Sequence, residues 1–142
     1  LGGSRTSLYT LENRIIRGRF DEPRIHFALN CASIGCPKLP QHAFDPDRLE
    51  AQLAHETARF LEENRNVEIA REAGEVRLSS IFDWYTSDFT GWMKRHAPDR
   101  PPTLRGWIAH HAPDAMRAEL EACRDCTQQF VPYDWGLNEQ VR

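Results

Sequence analysis

The sequence predicts an α+β fold, with a small, mainly antiparallel sheet packed against several helices. Three observations predict it. Apolar residues recur at helical spacing in several stretches, and short runs of strand character bounded by Gly, Pro and Asn lie between them. These elements also follow one another without the regular rhythm of a doubly wound parallel sheet. At 142 residues the chain has the size of a single domain with one core. A composition of 40% hydrophobic and 27% charged residues fits a folded, soluble chain. The net charge of -3, with 18 basic and 21 acidic residues scattered along the chain, supplies no basic field, so nucleic acid is not an expected partner. No stretch approaches the roughly 20 apolar residues of a membrane helix. The start, L-G-G-S-R-T-S, has no charged region leading into an apolar run and reads as lacking an export signal.

Taken in order, Ser7 caps a helix whose apolar positions are Leu8, Leu11, Ile15 and Ile16, and Gly18 ends it. The run Ile25 to Leu29, bounded by Glu22-Pro23 and Asn30, reads as a strand. Asp45-Pro46 opens a long helix with Leu49, Leu53, Phe60 and Leu61 near one face, while Glu50, Glu56, Arg59 and Glu63 face water. Val67 to Ala70 and Glu75 to Leu78 form a hairpin turning at Gly74. Ser79 or Ser80 caps an aromatic helix in which Ile81, Trp84, Tyr85 and Phe89 share helical spacing. After Pro98, Pro101 and Pro102 come helical patterns from Leu104 to His110 and from Pro113 to Ala122. A last alternating stretch, Phe130 to Leu137, reads as a strand.

Strand parity selects candidates for chemistry, because successive side chains point to opposite faces. In the early strand His26, Ala28 and Asn30 share the face opposite Ile25, Phe27 and Leu29. In the late strand Asp134 lies opposite Val131, Tyr133, Trp135 and Leu137. If the strands are neighbours, Asp134 accepts a bond from one ring nitrogen of His26, fixing its tautomer and freeing the other nitrogen as a base. The alternative is two residues on a solvated sheet face. Cys31 is the candidate nucleophile, with a buried, inert cysteine as the alternative. In full extension it lies about 16 Å from His26, at roughly 3.3 Å per residue, so a shared site requires a sharp turn after Leu29. Asn30, Ala32, Ser33 and Gly35 suit such a turn, whose bare amides could stabilise an oxyanion.

The four cysteines form two close pairs, Cys31 with Cys36 and Cys123 with Cys126, open to disulfide, zinc and free-thiol readings. Trp84, Tyr85 and Asp88 either line a pocket or belong to the core. Asp83 and Asp88 do not share a helical face, and His110 and His111 read as surface residues. No Gly-rich phosphate loop, H-E-x-x-H or G-x-S-x-G occurs, and no cofactor is expected.

Three stretches together resemble the bacterial branch of the family called domain of unknown function 547, over about Ser7 to Asn138. They are S-L-Y-T-L-E-N-R-I-I-R through R-I-H-F-A-L-N-C-A-S-I-G-C-P, then L-S-S-I-F-D-W-Y-T-S-D-F, then P-Y-D-W-G-L-N. The family typically carries an upstream helix resembling F-W-I-N-x-Y-N, which this chain lacks. The resemblance therefore implies a partial domain, either truncated or completed by a separate partner segment. Plant relatives join the domain to a leucine-zipper region, which suggests partner binding, and bacterial relatives often look exported, which favours the periplasm or the cell exterior.

The order of elements is also distantly similar to papain and transglutaminase-like thiol enzymes, although there the cysteine precedes the histidine and here Cys31 follows His26. That likeness implies His26 as base, Asp134 as its orienting acid, Cys31 as nucleophile, and Asn30, Ser33 or Tyr133 as substrate-binding residues, to which the aromatic helix adds Trp84 and Asp88 as pocket candidates. The function expected is a cysteine-dependent hydrolase or acyltransferase acting on amide, peptide or thioester bonds. The alternatives are a non-enzymatic domain that binds a peptide or small ligand, and a zinc-stabilised domain.

Overall fold

The computed structural model describes residue 3 and residues 5–139. Ser7 opens helix α1, residues 8–19, by accepting a hydrogen bond from the Thr10 amide. Within α1 the segment Leu11–Ile16 winds as a π-helix, and the Arg17 amide reaches back five residues to the Glu12 carbonyl. The predicted early strand is instead a one-turn helix, α2, at Ile25–Ala28. Its amides are satisfied locally, from Ile25 to Glu22 O, from His26 to Pro23 O, from Phe27 to Arg24 O and from Leu29 to Ile25 O. Glu22 also takes the Arg24 amide on its side chain, so Glu22-Pro23 is a helix start and not a strand boundary.

Asp45 caps the turn Pro46–Arg48, which runs into α3, Leu49–Leu61, as its N-cap and proline predict. The outer face of α3 differs from expectation at Glu56, which is buried beside Arg59. Strands β1, Val67–Ala70, and β2, Glu75–Ser79, form the expected antiparallel hairpin, and Gly74 adopts the left-handed φ of 66° that its turn requires. Ser79 caps α4, Ser80–Trp84, and a break at Tyr85 separates it from α5, Thr86–His96. Helices α6, Leu104–His111, and α7, Asp114–Ala122, lead into β3, Thr127–Val131.

The α+β class stands, and the sheet is mixed, in the order β1-β2-β3. Strand β3 lies parallel to β2 because α4 to α7 form the long crossover that a parallel pair needs. The ladder ends at Val131, short of the predicted Leu137. Pro132 has no amide to donate, and beyond it the chain leaves the sheet and pairs with the loop at residues 32–35, where Leu137 forms an isolated bridge with Ser33.

The core is an aromatic cluster around α2. The Phe27 ring stacks on Phe60 at 4.2 Å and lies 5.8 Å from both Phe89 and Trp107. One fully buried residue thus anchors α2 and fixes its neighbour, His26. Among the described residues no helix is long and apolar enough to cross a membrane.

His111 corrects a second surface expectation. It stacks on Trp107 at 4.0 Å and bonds the Trp107 carbonyl through Nδ1, while His110 stays exposed. Burial pushes the His111 imidazole down from 6.5 to about 4. The folded chain thus resists a proton that the unfolded chain accepts. The His111 contribution to stability is present above pH 6.5 and is lost as pH falls from there toward about 4. Urea titrations across that window are expected to show falling stability, with a shallower fall in His111→Asn.

Candidate active site

His26 faces the inner side of α2 and is buried. Its Nε2 lies 2.9 Å from Oδ2 of Asp88 on α5. Arg17 of α1 binds the same carboxylate with two donors, Nε to Oδ2 at 2.8 Å and Nη2 to Oδ1 at 3.0 Å. The Tyr85 ring stacks against the imidazole at 3.7 Å with 13° between planes, and the Arg17 guanidinium sits 4.8 Å from the centroid of the same Tyr85 ring. Burial pushes Asp88 up, but the bonds from Arg17 and His26 outweigh it and hold the carboxyl below 3.8. For His26, burial pulls the imidazole below 6.5 and prevails over the bond to Asp88. The ring is therefore neutral near pH 7, with Nε2–H donating to Asp88 and Nδ1 left as the basic nitrogen.

The second half of the site is the loop after α2. The Cys31 sulfur lies 2.6 Å from the Cys36 sulfur, 3.1 Å from Ser33 Oγ and 3.4 Å from Tyr133 Oη. Ser33 and Tyr133 bond each other at 2.7 Å, and the Cys31 amide donates to the Cys36 sulfur at 2.8 Å. Burial pushes the Cys31 thiol up, yet the bonds from Cys36, Ser33 and Tyr133 bring it down from 9.0 to about 7. Burial raises Tyr133, so its phenol stays protonated and able to donate.

Two backbone features make this cluster fit. Ala32 takes the left-handed φ of 61°, a conformation that costs about 1–2 kcal/mol for a residue with a Cβ. Asn30 Oδ1 accepts the Ala32 amide and the Asn138 amide donates to the Ala32 carbonyl, which holds the turn. At Gly35 a Cβ would meet the Tyr133 ring at 2.8–2.9 Å, so only glycine admits the ring so close to the thiols. Arg65 clamps the loop from outside through the Ile34 and Cys36 carbonyls.

Both halves line one cleft of about 250 Å³. Trp84, Tyr133 and Trp135 form an aromatic wall there, with Trp84 4.8 Å from Tyr133 and 5.6 Å from Trp135. Among the described residues Glu12, bonded by Tyr85 Oη, is the single carboxylate in the lining, and neither Lys nor Arg joins it.

The structure brings His26, Cys31, Trp84 and Tyr133 into the lining of this cleft, leaves Ser33 buried beside Cys31 and Tyr133, and redistributes several expected roles. Asp88, foreseen as a pocket residue, occupies the place beside His26 foreseen for Asp134. Asp134 instead accepts the Gly136 amide on Oδ1 and the Gly35 amide on its carbonyl, holding the far strand of the loop. Asn30 lines the cleft but spends both ends of its amide on the loop, on Pro37 O and the Ala32 amide. The loop amides expected to be bare are occupied at Ala32, Ile34, Gly35 and Cys36. The four cysteines do not converge. Cys123 and Cys126 form a disulfide, and among the described residues no group of three or more His, Cys, Asp or Glu side chains could hold a metal. Arg17 was not foreseen, since 71 residues separate it from Asp88 and no local signal joins them.

Residues 1–61 match the family model described as Protein of unknown function, DUF547, which supports the resemblance to that family over α1, α2, the thiol loop and α3. Asp88 and Tyr133 lie outside the matched stretch. No curated protein and no solved structure matches the chain.

Alkylation of Cys31 by iodoacetamide, followed by peptide mapping, is expected to rise with pH around a midpoint near 7. Tyr133→Phe removes one of the bonds that lower the thiol, so the midpoint is expected to move up toward 9.0 and labelling at neutral pH to slow. An unchanged midpoint in that variant would show that Tyr133 does not stabilise the thiolate.

Proposed function

We propose that this domain is a cysteine-dependent acyl-transfer enzyme, a hydrolase or acyltransferase, with Cys31 as nucleophile and His26 as base. The observation that carries this reading is a thiol brought down to about 7 in the same cleft as a buried, neutral imidazole oriented by a carboxylate. The distant likeness to papain and transglutaminase-like enzymes belongs to this proposal, with Asp88 in the role of orienting acid.

The electrostatics narrow the substrate class from amide, peptide or thioester toward the thioester. Expulsion of an amine needs a proton at the leaving nitrogen, and an imidazole held below 6.5 seldom carries that proton near pH 7. Expulsion of a thiolate needs no proton. In the first step the Cys31 thiolate attacks the carbonyl carbon, the C–S bond of the substrate breaks, and the acyl group passes to Cys31. The protonated Tyr133 hydroxyl, 3.4 Å from the sulfur, is the donor placed to bond the carbonyl oxygen as it gains charge. In the second step water or an acceptor alcohol or amine attacks the carbonyl carbon of acyl-Cys31, His26 Nδ1 takes its proton, and the acyl C–S bond breaks to release the acyl product and return the Cys31 thiolate. The wall of Trp84 and Trp135 would hold an apolar or aromatic acyl group.

Exposure of Trp84 and Trp135 also favours a second reading, a non-enzymatic module that binds a peptide or small ligand in this cleft. An aryl thioester separates the two. The enzyme is expected to release a burst of thiol and to carry the acyl group on Cys31, as seen by mass spectrometry, and Cys31→Ser to carry none. His26→Asn is expected to accumulate the acyl adduct and to turn over about 10²–10⁴-fold more slowly. Failure of Cys31 to acylate would exclude the enzyme and leave the binding module.

A further inference from the structure

The acyl-transfer reading uses Cys36 only as a hydrogen-bond partner and gives it no bond-making step, although its sulfur lies 2.6 Å from that of Cys31. The two thiols are also unequal in access. Cys31 is exposed and faces the cleft, whereas Cys36 is buried and 6% exposed. The loop that carries them is held by bonds from Asn30 and Arg65, and within it the two sulfurs already lie side by side.

We propose that Cys31 and Cys36 are a dithiol centre that exchanges with small uncharged disulfides, Cys31 attacking and Cys36 resolving. The Cys31 thiolate attacks one sulfur of the incoming disulfide, whose S–S bond breaks and expels one thiolate, leaving a mixed disulfide on Cys31. Cys36 gives up its proton and attacks the Cys31 sulfur. The mixed disulfide breaks and the second thiolate leaves. The protons lost by the two cysteines neutralise the two expelled thiolates. In sum the cysteine pair is oxidised to a disulfide, and the incoming disulfide is reduced to two thiols. The reverse sequence oxidises two small thiols at the expense of the Cys31–Cys36 disulfide.

Access sets the order of events. An incoming disulfide reaches only the exposed sulfur, and the buried sulfur reacts only with a partner already on Cys31. The lining sets the substrate class. Among the described residues the lining is mostly aromatic and aliphatic, with Glu12 as the one carboxylate and no Lys or Arg, which favours a neutral organic disulfide over an anionic one. The inference shares the Cys31 nucleophile with the proposed acyl transfer and needs neither His26 nor Asp88.

The test treats reduced, desalted protein with hydroxyethyl disulfide and follows each cysteine by mass spectrometry of peptides, which keeps Cys123 and Cys126 separate from the reacting pair. Wild-type protein is expected to end with a Cys31–Cys36 disulfide, two hydrogens lighter and free of adduct, with two thiols released. Cys36→Ser, and Cys36→Ala as a second variant, are expected to stop at one hydroxyethylthio group on Cys31, and Cys31→Ser is expected to react at neither position. Glutathione disulfide, which is anionic, is expected to react more slowly than the neutral compound. A stable mixed disulfide on wild-type Cys31, or no reaction with excess disulfide, would overturn the inference. Acylation of Cys31 by the aryl thioester under the same conditions would leave the acyl-transfer reading standing, so the two proposals fail separately.

Discussion

The carboxylate of Asp88 joins three stretches of chain that are far apart in sequence. Its Oδ2 meets both Arg17 Nε and His26 Nε2, and its Oδ1 meets Arg17 Nη2. Through these bonds α1 and α2 are tied to α5, and the imidazole is fixed in orientation and tautomer. Loss of that carboxylate would leave a partly buried guanidinium and a buried ring nitrogen without their partner, a penalty of about 1–3 kcal/mol for each unsatisfied group. Packing acts in the same direction, since Phe27 lies in the aromatic core next to His26 on a helix of four residues. Core and site are thus coupled by adjacency on one turn.

The thiol half is organised on different terms. Among the described residues no charged group bonds the Cys31 sulfur. Its environment consists of a second thiol, two hydroxyls and a backbone turn forced into the left-handed region at Ala32. Tyr133 connects the two ends of the described chain, because the extended segment after β3 carries it back over the loop and Gly35 gives its ring room. The cleft lies where the carboxylate-held helices meet this loop, with the aromatic wall of α4 and the last segment on its other side.

Local signals in the sequence carried much of the fold. The Asp45-Pro46 start of α3, the turn at Gly74 and the cap at Ser79 are decided by backbone chemistry within a few residues, and each stands where expected. The segment Ile25 to Leu29 was not legible in this way. A five-residue apolar run is compatible with a strand or a helical turn, and here the Glu22 side chain and the Pro23 carbonyl decided for a helix. With the strand went the parity that paired His26 with Asp134. The actual partner, Asp88, lies 62 residues away on a helix whose aromatic spacing pointed to core. Sequence pattern reports which residues are polar and which face they share, but not which distant carboxylate folds beside them. The sharp turn that Cys31 needed was legible, since Asn30, Ala32, Ser33 and Gly35 suit it, although Cys36 as the nearest neighbour of Cys31 follows only from the folded loop. Burial of Glu56 and half-burial of His111 were hidden for a related reason, because both lie on helix faces that water would cover but for a neighbouring element.

The most direct test of the account is the protonation state of the His26 ring, read by nitrogen NMR of ring-labelled protein across pH. The arrangement with Asp88 predicts a neutral imidazole at pH 7, with the proton on Nε2, Nδ1 bare, and a titration midpoint below 6.5. A proton on Nδ1, or an imidazolium persisting at pH 7, would contradict it.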